Sequence, residues 1–261
     1  MASSSNAFFH TSDGITFIGN DAARGPWMAD ACHAGPVTGI IARAFELLVT
    51  DKQLLKLSVE LLKPVPMDGF QVNTEITKAG RAVTTASADI VDLQGKLIAT
   101  ASSLHMVVQD LGEVPTAPFE SHRFSDSVPG GFPIEKTSHG LPGFSSGIEV
   151  RYPPGHDNSP GPTSIWMKTL PLLEGEEPSA FQKLCPLADC GNGTSRNQNG
   201  FDIRFMNPDI TIVMHRASSA DWLLSSAESH WQPTGLGLAQ ANLFDELGPI
   251  GSVMQTLLLQ K

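Results

Sequence analysis

Basic side chains are scarce in this chain. Seventeen lysines and arginines stand against 27 acidic residues, so its 261 residues carry a formal net charge of −10. Nucleic-acid binding draws most of its affinity from neutralising phosphates with a basic face, and that class of partner is excluded. A polyanionic ligand would have to be met by a few local cations. Cysteine is scarce too. Cys32, Cys185 and Cys190 are odd in number and form no CxxC pair, which argues against a disulfide framework or a structural zinc and fits a reducing compartment. No window approaches the roughly 18–20 continuous apolar residues of a membrane span, so no membrane partner is expected. The opening "MASSSNAFFHTSDG" has no basic stretch before an apolar core, so no secretory leader is expected and the expected location is the cytoplasm. The "NGT" at 192–194 then reads as a chance match to a glycosylation sequon.

What is present is a sizeable apolar fraction, 41% of residues, enough for a large core. In "ACHAGPVTGIIARAFELL", residues 31–48, the positions Val37, Ile40, Ile41, Ala44, Leu47 and Leu48 recur at helical spacing. Gly39, Ala42 and Phe45 extend the apolar surface, leaving Thr38, Arg43 and Glu46 as its polar positions. A helix apolar nearly all round is buried on most sides.

Alternation of period two marks the next segments as strands: 54–62, 70–80, 81–92 and 96–108, joined by short turns into an antiparallel meander. The C-terminal half repeats the series at 209–216, 222–231, 235–245 and 249–259. A single offset sets Ser58 on Thr211, Val59 on Ile212, Lys63 on Arg216, Ala88 on Ala241, Asp92 on Asp245 and Gly95 on Gly248, which points to an internal duplication. A second helix is expected from Pro178 through "PSAFQKLCPLADC", and opening strands of the second half at 147–152 and 163–170. Residues 111–145, rich in Pro, Gly and Ser, read as a surface linker. Small residues on the meanders (Ala86, Ala88, Gly237, Ala239, Ala241) leave room for a helix against the sheet. The expected class is therefore α+β, and the layout resembles a double hot-dog: two tandem units, each a long antiparallel β-sheet wrapped around a central α-helix. The expected division is 1–110, a linker 111–145, and 146–261.

Seven stretches also resemble the TesB-like acyl-CoA thioesterases: "CHAGPVTGIIARAFELL", "LSVELLKPVPM", "KAGRAVTTASADI", "PLADCGNG", "NPDITIVMHR", "GLGLAQANLFDELGPIG" and "MQTLLL". The resemblance implies hydrolysis of acyl-CoA to free acid and coenzyme A, without a cofactor or metal. It also implies a site in which a carboxylate, a hydroxyl or amide, and a glutamine hold the attacking water. Asp189, Asn207 and Gln255 match those positions, Asn207 standing where the family's bacterial members carry Thr or Ser. The chemistry asks for such groups on its own account: a carboxylate as general base and donors where the oxyanion develops. The N-terminus of the first helix, at His33, Ala34 and Gly35, offers free N–H groups and a positive dipole end, and Gly35 would let a carbonyl approach. Lys63, Lys78, Arg81 and Arg216 are candidate contacts for the coenzyme A phosphates.

Each of these residues has a plainer reading. Asp189 could be a polar helix end, although no Lys or Arg lies three or four residues away to pair it. Gln255 shares a strand face with Val253 and Leu257, which favours burial, and Asn207 before Pro208 is by default a turn residue. Cys32 beside His33 reads as a small buried thiol rather than a nucleophile, and Thr211 is a fallback hydroxyl. The "GHDNSP" at 155–160 has the wrong order and spacing for a hydratase signature. Two other functions remain open at this point: a non-hydrolytic acyl-CoA binder, and a hydratase-type enzyme, which would need a His–Asp pair in the site. A homodimer formed through sheet edges is expected.

Overall fold

The computed structural model describes residues 6–120, 122–134, 137–199 and 202–261; the first five residues of the opening stretch lie outside them. The amino-terminal half runs β1 (Phe9–His10), β2 (Thr16–Gly19), α1 (Ala34–Leu48), β3 (Gln53–Leu61), β4 (Phe70–Ala79), β5 (Val83–Asp92) and β6 (Leu97–Met106). The remainder runs β7 (Val128–Pro129), β8 (Ile148–Tyr152), β9 (Thr163–Thr169), α2 (Ala180–Ala188), α3 (Gly191–Thr194), β10 (Arg204–Met206), β11 (Asp209–Met214), β12 (Leu223–Trp231), β13 (Leu236–Asp245) and β14 (Gly248–Gln260). Nearly all the expected strands end within two residues of where alternation placed them. Helix α2 starts two residues after Pro178, because Ser179 takes the cap position and accepts the Gln182 N–H at 3.2 Å.

The strands described form one antiparallel sheet in the order β1-β2-β4-β5-β6-β3-β11-β14-β13-β12-β9-β8-β7, with β10 added beside β14. Its centre is the β3–β11 pair, where Ser58 lies opposite Thr211 and the two hydroxyls bond at 3.0 Å. These residues are 153 apart, and the same offset carries β5 onto β13 end for end. A register centred on two offset-related residues is what a two-fold axis between like units requires. Both outer edges are two residues long, and one contains Pro129. The free side of β1 is also occupied, since Phe8 and Phe9 donate their N–H groups to Pro171 and Leu172. The edges therefore offer little to a second chain.

Alternation dictates which strand residues turn inward. Ala86, Ala88, Ala239 and Ala241 are buried, as are Val253, Gln255 and Leu257. In α1 the run from Gly35 to Ala42 and Phe45 are buried, whereas Leu47 is exposed. Helices α1 and α2 pack antiparallel at close range. A Cβ on Gly35 would lie 2.9 Å from the Pro186 Cα, and one on Gly39 2.7 Å from a Leu172 methyl. At the other end Glu46 accepts hydrogen bonds from Ser179 (2.8 Å) and Gln182 (2.7 Å), fastening α1 to the first turn of α2.

The segment between the halves departs from the expected surface linker. Residues 111–120 are exposed, but beyond them Phe132 and Phe144 are buried in the core. Backbone bonds tie the segment to the approach to α1: Phe144 N–H to Arg24 C=O (2.9 Å) and Ser138 N–H to Pro26 C=O (2.9 Å). Among the described residues its regular structure is limited to the two-residue β7 and to short 3-10 turns such as the one beginning at Phe144, too short for any periodicity to mark its apolar residues.

Candidate active site

A cavity of about 500 Å³ opens beside the N-terminus of α1. Its wall is largely apolar, with Trp27, Met28, Leu62, Phe132, Phe144 and Met206 prominent, and four polar side chains, His33, Asp189, Asn192 and Asn207, converge on one side. A mostly apolar cavity with a few convergent polar groups is the general form of a small-molecule site.

Local geometry explains the convergence. Helix α2 ends at Ala188, Asp189 caps it with the backbone near helical values, and α3 begins two residues later. Asp189 and Asn192 are thus one turn apart and share a face. Asn207 falls in the two-residue break between β10 and β11, which both pair with β14. Pro208 cannot donate to the ladder, and Asp209 fastens the break to β14 by accepting the Thr256 N–H at 2.8 Å. Gln255 projects inward from β14 opposite this break.

Asp189 is the hub. Its Oδ1 accepts from Asn207 Nδ2 and Gln255 Nε2, both at 3.0 Å, and its Oδ2 lies 3.0 Å from His33 Nδ1. Asn192 Nδ2 donates to Asn207 Oδ1 at 3.0 Å, and the Asn192 N–H donates to Gln255 Oε1 at 3.3 Å. Asp189 is only 6% exposed, and such burial of a carboxylate is tolerable because donors surround it. The His33 ring stacks on Phe144 with centroids 3.9 Å apart and planes 12° from parallel. Cys32 faces Pro66 and Met67 instead of the cluster, and burial pushes its thiol up to about 12, so it is no nucleophile. Among the described residues no group of His, Cys, Asp and Glu could hold a metal ion.

Two family models account for most of the chain: the acyl-CoA thioesterase N-terminal domain over residues 23–106 and the C-terminal domain over 115–259. The chain belongs to the acyl-CoA thioesterase family. Thioester hydrolysis is thus its class of chemistry. No curated protein sequence matches it. Three solved structures share its fold. A tesB protein from Mycobacterium avium subsp. paratuberculosis has a TM-score of 0.68 at 15% identity, over 97% of this chain and 96% of that one. The acyl-CoA thioesterase II TesB2 from Mycobacterium marinum has 0.66 at 16%, over 97% and 95%. A hot-dog-fold protein of unknown function from Alicyclobacillus acidocaldarius has 0.72 at 13%, over 96% and 95%. The fold is that of hot-dog thioesterases, a large antiparallel sheet with few helices.

In this thioesterase Asp189, Asn207 and Gln255 come together as expected, but Gln255 stands behind Asp189, fully buried and outside the cavity lining. Gly35 also lies outside the lining. The room its missing side chain leaves is filled by α2, so it serves helix packing rather than the approach of a carbonyl. Ala34 does line the cavity. Of the expected cations, Lys63 is a lining residue, and the neighbouring Lys96 ammonium lowers its pKa from the usual lysine value. Arg81 and Arg216 are not in the lining. Arg216 is held by Asp245 at 2.6 and 3.0 Å, an ion pair that also uses its donors on Gly248. Thr211 is occupied by Ser58.

Three site residues escaped the sequence reading. Asn192 was hidden in an apparent sequon, although its spacing of three from Asp189 was visible. Arg204 lines the cavity from a three-residue strand too short to show alternation. For hydrolysis the sequence assigns His33 only its backbone, and its side chain enters only as one of several histidines that a hydratase would need near Asp189; nothing in local sequence singles out a partner 156 residues away.

Proposed function

We propose that this chain hydrolyses acyl-CoA thioesters in the cavity beside α1, using a water activated at the Asp189 cluster. The observation that carries this is a buried carboxylate, ringed by Asn207, Gln255 and His33, in the wall of a largely apolar cavity of a family thioesterase. Asn207 and Gln255 hold Asp189 in place. The N-terminal end of α1, at Ala34, polarises the thioester carbonyl; the His33 N–H, expected to share that role, is instead taken by Ala23 C=O at 2.7 Å. Lys63, with Arg204, meets the coenzyme A phosphates; both are exposed cations in the lining. The architecture we propose is a double hot-dog of units 1–110 and 146–261 joined by 111–145, supported by the common offset of β5 and β13 and of Ser58 and Thr211. The chain acts in the cytoplasm, in keeping with its three free thiols. Two copies of the chain associate, though the short outer edges of the sheet, one of them covered, do not favour the edge-to-edge contact first expected.

Incubating the protein with butanoyl- to palmitoyl-CoA and a thiol reagent tests the activity. Release of coenzyme A that collapses in Asp189→Ala is expected, whereas no release at any chain length overturns the reading. Calorimetric binding without turnover would identify an acyl-CoA binder instead. The His33–Asp189 pair supports a second reading, hydration of 2-enoyl thioesters, which loss of crotonyl-CoA absorbance without thiol release would select.

A further inference from the structure

We infer that the His33 imidazole, through Nε2, is the base that takes the proton from the attacking water, and that Asp189 is its positioning residue. This rests on the reading of the cavity as a thioester hydrolase site. Asp189 is poorly placed to be the base, because its Oδ1 already accepts from two side-chain donors, its Oδ2 lies against the His33 ring and it is nearly sealed from solvent. His33 has the complementary arrangement. Its Nδ1 lies 3.0 Å from Asp189 Oδ2, and the Gly35 N–H also points at Nδ1, from 3.2 Å. Nδ1 cannot serve both neighbours: a lone pair would accept the Gly35 N–H but face the carboxylate, whereas a proton bonds the nearer and charged Asp189 Oδ2 and forgoes the Gly35 N–H, so the proton belongs on Nδ1. That tautomer leaves the lone pair on Nε2. Among the described residues Nε2 has no protein partner, and it is not one of the buried unpartnered atoms. Stacking on Phe144 holds the ring plane, and His33 lines the cavity. Base, orienting carboxylate and open face are the components of an activated-water site.

The step balances without a further reactant. Nε2 removes a proton as the water oxygen bonds to the thioester carbon, and Asp189 stabilises the resulting imidazolium. When the carbon–sulfur bond breaks, the same proton passes to the departing sulfur, giving the free acid and the thiol.

The test uses whichever of butanoyl- to palmitoyl-CoA the full-length protein hydrolyses fastest. His33→Asn keeps a good helix cap but has no basic nitrogen. Its kcat is expected to fall by about 10²–10⁴-fold while KM stays within a few-fold. In His33→Ala, added imidazole should restore at least a tenth of the lost rate in proportion to its concentration, a response that a purely structural role would not produce. Asp189→Asn combined with His33→Asn should cost no more than the worse single change, because the pair acts as a unit. If His33→Asn retains kcat within threefold while Asp189→Asn abolishes it, Asp189 is itself the base and hydrolysis stands. If the wild-type protein releases no thiol from any of these substrates, the hydrolytic reading fails and this inference with it.

Discussion

At residue scale, the site turns on how many donors each acceptor collects. Asn207 uses both ends of its amide, donating to Asp189 and accepting from Asn192. A threonine hydroxyl is too short to bridge the same two groups, so Asn207→Thr should orphan the Asn192 amide and loosen Asp189. Loss of one such bond is worth about 1–1.5 kcal/mol, or roughly tenfold in kcat. Steady-state rates on the wild type's best acyl-CoA would check this, and an unchanged kcat would show that the amide is dispensable. Glu46 makes a contrasting case. Burial raises its pKa above the usual glutamate value, and the hydrogen bonds from Gln182 and Ser179 offset this only in part. A carboxyl with a raised folded-state pKa contributes fully below its unfolded pKa, and that contribution is lost as pH rises through the folded value. Glu46→Gln removes the titration. Its stability relative to wild type should therefore grow as pH rises from about 4 and then level off. Urea midpoints measured across that range decide it, and a difference that does not change with pH would refute it.

At element scale, the decisive contact is the close crossing of α1 and α2. The Cβ of a Gly35→Ala variant would meet Pro186 backbone at 2.9 Å and the Asp189 Cβ at 3.1 Å. Backbone cannot rotate away as a side chain can, so the helices must separate. Overpacking of this kind costs about 1–3 kcal/mol, and here it also moves the hub of the polar cluster. Gly35→Ala should lower both the melting temperature and kcat; a variant as stable and as active as wild type would mean the crossing has slack. Strand boundaries were legible in advance because a half-buried strand writes its burial into alternate positions. Of the candidate site, Asp189, Asn207 and Gln255 were named through the family resemblance, and their geometry was not legible at all. Asn192 and His33 carry no local signal of their partners. Arg216, whose position suggested phosphate binding, is held by Asp245 across a turn that brings the two side chains together.

At the scale of the whole molecule, the β3–β11 pairing makes one sheet of two similar halves, and the α1–α2 crossing fastens them a second time. The exposed stretch 111–116 contributes little to either. A single proteolytic cut there should leave the two fragments eluting together on gel filtration in native buffer. Fragments that separate would show that the covalent connection, rather than the shared sheet, holds the halves in register.

Hydrophobic periodicity and turn chemistry by themselves determined the ten longer strands, the two longer helices and their repeated series, though not the short β1, β2, β7, α3 and β10. Each depends on neighbours a few residues apart, within reach of a local pattern. Only tertiary packing decided that His33 would face Asp189, that Gly35 would admit a helix instead of a substrate, and that the middle segment would wall the cavity. Burial periodicity records which face of an element is covered. It does not record what covers it, and that contact is set by the packing of elements distant in sequence.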